Sequence, residues 1–368
     1  MIPYNSLIVR YSEIGLKGKN RRWFESRLAE DIKRNLSAQG ITGFQVRLKR
    51  GRIYVEDLAR PLSLDRVFGV HSFSPAVQIP KDYRRLREGV AGLTGEVQRA
   101  GSFRVSCQRL DKGFFKTSVE VEREMGAVLF EATTVPVKLK DPELNLQIEI
   151  GETHIYLFWD KIPGPRGLPY GTAGRLVSLI SGGIDSPVAT YLMMKRGVEP
   201  VLLHFKIGED DYRKVIRLKE RLEEYTGGRS LELVVIDRHT QFEGKFSDLY
   251  SSETFHPYIC LICKHLMHRL AGRLAEEKEA LGIITGDNLA QVASQTLPNL
   301  FAYRKGLFCP VYSPLIGFEK EDIVKLARKI GTYEISIAPA ADGCIPPRRP
   351  KTAVSARRLR EILQAAGL

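Results

Sequence analysis

The 368-residue sequence has no long apolar run, and its amino end lacks the succession of cationic segment, apolar core and small-residue cleavage site that marks an export signal. Both absences point to a cytoplasmic protein with no role in a membrane. Cysteine is sparse: five residues at irregular spacing are too few for a disulfide framework, so reduced thiols with metal or sulfur chemistry are expected. No internal repeat or low-complexity tract is present, which excludes a solenoid. The phosphate-binding pattern G-x-x-x-x-G-K-[ST] is missing too, so a kinase-type cradle is not available. Acidic residues are the minority charge, 43 against 56 basic, and the net charge of +13 favours a polyanionic partner without selecting any fold. The excess is uneven, because residues 1–60 carry thirteen Lys and Arg against six Asp and Glu.

What is present suffices for two or three globular domains, with 43% of residues apolar. A strand at 7–10 precedes a helix over 20–38, where Phe24, Leu28, Ile32 and Leu36 recur one turn apart. Alternation at Phe44, Val46 and Leu48 and at Ile53 and Val55 adds two strands. The stretch to residue 160 repeats the mixture: strand 76–79, helix 84–100, strand 103–107, helix 117–132 and a hairpin of 146–150 with 155–158. Residues 160–175 are so rich in Pro and Gly that they form a linker. Beyond it, strands at 176–180, 200–205, 231–237 and 282–285 alternate with helices near 187–196, 211–225, 261–278 and 320–330, the pattern of a doubly wound parallel sheet. The domains implied are 1–58, 59–160 and 176–368, joined at 161–175: two α+β modules and an α/β module.

The segment LVSLISGGIDSPVATYLMMKRG, residues 176–197, places a glycine turn between an apolar strand and a helix. Gly182 and Gly183 carry no Cβ, so their amides can close on phosphate oxygens, while Ser181 and Ser186 add hydroxyls. Ser186 reads as the helix N-cap and Pro187 as the first helical residue, which aims the positive end of the helix at the ligand. Asp185 in this ring of donors suits Mg²⁺ accompanying a nucleotide. A glycine turn that merely joins strand to helix would show the same local pattern.

S-G-G-x-D-S resembles the pyrophosphate loop of the PP-loop ATPases. Together with ITGDNLAQVASQT at 284–296, DGCIPP at 342–347, the basic amino-terminal module and PGPRGLPYGTAGR at 163–175, it resembles the tRNA 4-thiouridine synthetase (ThiI) family over essentially the whole chain. The resemblance implies an amino-terminal ferredoxin-like domain, a THUMP RNA-binding domain and a PP-loop catalytic domain. It further implies ATP-dependent adenylation of the C4 oxygen of uridine 8 in tRNA and replacement of that oxygen by sulfur, with a secondary role in sulfur transfer for thiamine synthesis. On the same grounds Leu179, Ile180, Ser181, Gly182, Gly183, Asp185, Ser186, His204, Phe205, Lys264, Gly286 and Gln295 form the ATP site, and Asp185 is essential to adenylation. Taken singly, His204 and Phe205 fit a sheet core, Lys264 a surface and Asp287 a helix cap.

Cys260 and Cys263 are three apart in HPYICLICKHLMHR, so on a helix they share one face and can grip one metal or cluster. Cys344 occupies the position of the family's sulfur-handling cysteine. Cys260, Cys263 and Cys344 together could hold a [4Fe-4S] cluster whose free iron holds sulfide, or Cys344 alone could accept sulfur from a cysteine desulfurase or a separate sulfur carrier; the expected donor is one of those proteins or sulfide. Zinc with His256, His265 or His268 is a third arrangement. The chain stops at Leu368, short of the rhodanese domain of many relatives, so sulfur is expected from another molecule, and the thiamine-pathway sulfur carrier protein is a weaker expectation. Family likeness also implies a homodimer. For tRNA, Arg47, Lys49, Arg50 and Arg52 form one candidate phosphate-binding set and Lys112, Lys116, Lys138 and Lys140 another. Residues 348–360 add six cations. Other readings are a tRNA-lysidine synthetase, an amide-forming ligase or a non-catalytic RNA-binding adaptor.

Overall fold

Short strands with alternating apolar residues dominate the first 166 positions, and they join into one sheet. The computed structural model describes residues 4–49, 51–60, 62–237, 245–340 and 347–368. They fall into two units, Met1–Arg166 and Gly167–Leu368. The first contains β1 (Ser6–Arg10), α1 (Arg21–Ala38), β2 (Gln45–Lys49), β3 (Arg52–Glu56), β4 (Ser72–Pro80), α2 (Tyr83–Ala91), α3 (Thr94–Gln98), β5 (Phe103–Arg109), α4 (Ser118–Thr133), β6 (Leu144–Ile150), β7 (His154–Phe158) and β8 (Ile162–Pro163). Strand order is β2-β3-β1-β4-β7-β6-β5, with β8 paired to β4. Nine-residue β4 carries the sheet from one part of the unit to the other: Ser72–Ala76 pair antiparallel with β1, and Val77–Pro80 pair antiparallel with β7.

Local chemistry explains the helices. α4 opens with a reciprocal capping box between Thr117 and Glu120 and buries Val121, Met125 and Leu129, one turn apart, against Phe103, Leu146 and Ile148. Each such side chain contributes roughly 1.5–3 kcal/mol through burial. The single helix expected over 84–100 is two, because α2 ends at Gly92 and α3 starts afresh after Leu93. Part of the expected linker is strand, since Ile162 and Pro163 pair with β4.

The two tyrosines Tyr54 of β3 and Tyr156 of β7 stack at 4.7 Å over Ile8 and Ala76. Their hydroxyls donate to buried carboxylates, Tyr54 to Glu149 at 2.6 Å and Tyr156 to Glu56 at 2.7 Å. Arg52 and Arg47 supply the opposing charge to Glu149 and Glu56, each at 2.8 Å. Burial, reinforced by the adjacent carboxylates, pushes both phenols far up.

The second unit contains β9 (Arg175–Leu179), α5 (Asp185–Met194), β10 (Glu199–Lys206), α6 (Glu209–Glu223), β11 (Leu233–Asp237), α7 (Lys245–Ser251), α8 (Ile259–Glu277), β12 (Ile283–Ile284), α9 (Leu297–Arg304), β13 (Val311–Tyr312), α10 (Lys320–Ile330), α11 (Tyr333–Ile337) and α12 (Ala356–Ala365). Its five strands run parallel in the order β11-β10-β9-β12-β13. The chain winds outward from β9 through β10 to β11, then returns to the other side of β9. That reversal opens a crevice at the carboxyl ends of β9 and β12, where ligands bind in such sheets. The doubly wound architecture matches the expectation, but β13 was not foreseen: two residues after Pro310 are too few to show a pattern. Among the described residues no helix is long and apolar enough to cross a membrane.

Replacing Tyr54 by Phe removes one donor from buried Glu149 while keeping the ring. The variant is expected to lose about 1–2 kcal/mol, read as a lowered unfolding midpoint in urea, whereas the same change at the half-buried Tyr333 should be close to neutral.

Candidate active site

Strand β9 delivers the chain to Ile180, and the turn 181–184 leads into α5. The helix begins at Asp185, with Ile184 at the N-cap position and no side-chain cap, so Ser186 does not cap as its sequence suggested. Its hydroxyl instead fastens the turn: it accepts from the Ser181 amide at 2.9 Å and lies 3.2 Å from the Ser181 hydroxyl. The Gly183 amide leans on the same Ser181 hydroxyl at 3.4 Å. Gly286, just past β12, backs directly onto this helix start. A Cβ there would lie 2.9 Å from the Ser186 amide nitrogen and 3.0 Å from the Asp185 carbonyl carbon, so glycine is required by the close approach of two backbones.

Charged groups surround the turn. The Asp185 carboxylate accepts from Lys320 Nζ at 2.5 Å and from Gln291 Nε2 at 3.3 Å. Buried His204 at the end of β10 places Nδ1 3.1 Å from the Ile180 carbonyl and Nε2 3.3 Å from Asp211. Burial works to raise the Asp211 pKa, but hydrogen bonds from His204 and from the Gly182 and Ile207 amides lower it below the ordinary carboxylate value. Lys214 passes close to Gly182, where an added Cβ would meet its Cδ at 3.2 Å. Phe205 packs into the sheet core with Val177, Val201 and Ile283, beside half-buried Leu179. Lys320, Lys214 and Asp211 carried no sequence signal, because each reads as one more charge on a surface helix.

Asp287 is no cap. It is 3% exposed and receives five donors: Lys264 Nζ at 2.5 Å and Gln295 Nε2 at 3.3 Å on Oδ1, with Arg304 Nη2 at 2.6 Å and the Tyr303 and Thr285 hydroxyls at 3.0 Å on Oδ2. Burial acts to raise its pKa, yet attraction and hydrogen bonding from Lys264, with His268 and Arg304 behind them, hold it well below the carboxylate range. Lys264 and Gln295, which the family resemblance put in one site, therefore meet on one carboxylate. Fully buried His268 donates from Nδ1 to the Lys264 carbonyl at 2.7 Å, and burial pushes its pKa down to about 4.

Cys260 and Cys263 sit on one face of α8, as their spacing predicted. Cys260 packs beside Leu261, Leu359 and Leu363, and Cys263 Sγ lies 3.7 Å from Met267 Sδ. Cys344 and Arg50 lie outside the described residues. Among the described residues no group of three or more His, Cys, Asp or Glu could hold a metal ion. Of the basic candidates, Arg47, Lys49 and Arg52 form ion pairs with Glu56, Glu152 and Glu149, and Lys116 pairs with Glu124 at 2.6 Å. Lys112, Lys138 and Lys140 are exposed.

Known proteins resemble this chain along nearly its whole length. Residues 171–367 match the family model described as thiamine biosynthesis protein (ThiI), residues 6–74 the ThiI ferredoxin-like domain and residues 84–160 the THUMP domain. A probable tRNA sulfurtransferase of Thermococcus kodakarensis is 38% identical, covering 98% of this chain and 97% of its own. One from Methanothermobacter thermautotrophicus is 38% identical over 96% and 91%. A crystal structure of a 4-thiouridine synthetase in complex with RNA and bound ATP superposes with a TM-score of 0.89 at 32% identity, over 99% of this chain and 95% of that one.

Two outcomes are expected. Gly286→Ala should weaken ATP binding in calorimetry by about tenfold or more, since the added methyl pushes on the loop helix. The second concerns pH. His268 takes a proton near pH 4 when folded and near 6.5 when unfolded, so between those values the unfolded chain binds more protons and stability falls as pH drops. The loss over that window is on the order of 3 kcal/mol. Asp287, whose pKa is depressed, contributes above the unfolded carboxylate value and loses its contribution only below it. Denaturation of His268→Gln between pH 7 and 4 should show a flatter decline than the parent.

Proposed function

The chain belongs to the ThiI family of tRNA sulfurtransferases, and from that premise we propose that it adenylates the C4 oxygen of uridine 8 in tRNA and replaces that oxygen with sulfur, giving 4-thiouridine. The observation that carries the reading is the glycine turn at the sheet's switch point, backed by Gly286 and bordered by Lys320, Lys214 and Asp185. The positive end of α5 and the Lys214 and Lys320 ammonium groups hold the triphosphate against a turn whose Ser181, Gly182 and Gly183 amides are tied to Ser186, Asp211 and Ser181. Ile180, His204, Lys264, Gly286 and Gln295 line the rest of the nucleotide site, with Leu179 and Phe205 behind them. Asp185 offers a hard carboxylate oxygen suited to Mg²⁺, which when bound neutralises phosphate charge.

Oxygen is a poor leaving group at C4. The uridine oxygen attacks the α-phosphorus, pyrophosphate leaves, and the base becomes an AMP ester. A sulfur nucleophile then attacks C4 and AMP departs. The site's contribution is positioning and electrostatics: two cations near the loop oppose the charge that develops on the leaving pyrophosphate. Cys344 takes sulfane sulfur from the persulfide of a cysteine desulfurase or a separate carrier, releasing that protein's thiol. The terminal persulfide sulfur attacks C4, AMP departs, and an added thiol breaks the bond to Cys344 Sγ, freeing 4-thiouridine and leaving a mixed disulfide that further thiol reduces, whereas free sulfide attacks C4 directly. Cys260 and Cys263, on one face of α8, with Cys344 form the alternative, a [4Fe-4S] cluster whose free iron would hold sulfide. A cytoplasmic homodimer belongs to the same reading. The family model's description as a thiamine biosynthesis protein supports a secondary transfer of sulfur to a thiamine-pathway carrier protein.

Purified protein given ATP, Mg²⁺, tRNA and sulfide should release AMP and pyrophosphate and form 4-thiouridine, measured by nucleoside chromatography. Asp185→Asn should lower AMP release by about a hundredfold or more. Cys344→Ser should still adenylate tRNA but fail to use a persulfide donor. Unthiolated tRNA with all components present would refute the reading, and iron and sulfide in an anaerobically purified sample would restore the cluster.

A further inference from the structure

A groove of about 670 Å³ lies in the second unit between the outer face of α8, residues 305–308 and α12. Its rim carries four cations from three separate segments: Arg269 and Arg273, one turn apart on α8, Lys305 after α9, and Arg360 on α12. No carboxylate among the described residues pairs with any of the four. The contrast on α12 itself is informative, because its Glu361 is taken by Arg357 and Arg358, leaving Arg360 to the groove. Four cations that no described carboxylate pairs, against the single terminal carboxylate of Leu368 in the lining, leave the groove net positive, and an anion there would relieve their repulsion.

The floor narrows the choice of anion. Phe308 is 64% exposed, and its ring edge lies against Gly272, where a Cβ would come within 3.1 Å. Glycine in the middle of a 19-residue helix is locally unfavourable; here its missing side chain lets an aromatic ring settle against the helix while most of that ring faces solvent. Phe301, also 64% exposed, carries the Lys305 ammonium 5.6 Å from its ring centre. Exposed rings set among guanidinium and ammonium groups suit unstacked bases joined by phosphates, since the rings offer stacking faces and the cations take the backbone charge.

We propose that this groove is a second RNA-contact surface, in which Arg269, Arg273, Lys305 and Arg360 hold backbone phosphates of the tRNA and Phe308 stacks on an unpaired base. The inference rests on the reading of tRNA as substrate. It adds a surface of the second unit that shares no residue with the turn at 181–184, built from α8, the 305–308 segment and α12.

Fluorescence anisotropy of the full-length protein with labelled tRNA, over a series of monovalent salt concentrations, tests it. Arg269→Gln/Arg273→Gln, both exposed positions, should weaken tRNA binding by about tenfold and reduce the slope of log affinity against log salt by about one for each cation removed. Phe308→Ala should weaken binding by a similar factor with an unchanged salt slope. ATP affinity should stay at the parent value in each variant. Thermal melts at the parent value verify folding, and Lys305→Gln serves as an independent single-site variant. Parent-like tRNA affinity in all variants, with the parent enzyme still thiolating tRNA, overturns the groove and leaves the function standing. Variants that bind tRNA normally but lose sulfur uptake from an added donor protein also overturn it, assigning the groove to an acidic protein. Failure of the parent itself to bind or thiolate tRNA refutes the functional reading instead.

Discussion

A carboxylate buried at the end of a central strand must be compensated, and at Asp287 the compensation draws in much of the second unit. Lys264 comes from α8, Tyr303 and Arg304 from the end of α9, Gln295 from the turn before α9, and Thr285 from the strand end itself. Removing two charges from water costs several kcal/mol per ion, repaid only when geometry is good and the remaining hydrogen-bonding capacity is filled. Five donors on two oxygens meet that condition on the carboxylate's side, although Gln295 Oε1 and Arg304 Nε stay buried with no partner among the described residues. The arrangement stabilises less than apolar packing could, but it accepts very few alternatives, and so fixes the direction in which the chain leaves β12.

Gly286 lies one residue before that hub, and this adjacency links stability to function. With Thr285 and Asp287 both tied, the backbone between them has no freedom to withdraw, and it presses on the first turn of α5 at a distance only glycine allows. The other side of the turn is held by His204 on the Ile180 carbonyl and by Asp211 on the Gly182 amide. A phosphate-binding loop must be rigid before its ligand arrives, since amides that reorganise on binding lose much of their electrostatic advantage. The loop is clamped from both strands that flank the crevice, and Ser186 tightens it from within.

Much of this was legible in the sequence where the signal was local. An apolar run, two glycines and a Ser-Pro pair announced β9, the turn and α5, and alternation announced the strands of the first unit. Signals that depend on what lies across the fold were not legible. Asp287 follows a glycine after a strand, which looks like a cap, and only burial reveals it as a hub. Ser186 has the composition of a cap, but Ser181 competes for its hydroxyl and the helix starts two residues sooner. Strand β13 has two residues and takes its identity from β12 beside it. Cys344, the residue of greatest chemical interest, lies outside the described residues, so its placement rests on family likeness.

Formal charge counts every cation alike, whichever carboxylates lie beside it. It treats every cation as available, and on that count the first sixty residues are the strongest candidate for RNA contact. Sheet register gives two of them another partner: Arg47 faces Glu56 and Arg52 faces Glu149, where they neutralise carboxylates that two stacked tyrosines have buried. Those guanidinium groups are committed to the fold, and drawing them toward phosphate would strand a buried negative charge. Cations with no such obligation are the ones that can exchange water and counterions for a polyanion. In the first unit they include Lys112, Lys138 and Lys140, and in the second the four around the α8–α12 groove. Availability, rather than local abundance, is the quantity that a search for an RNA surface should follow, and it is set by where the carboxylates fold.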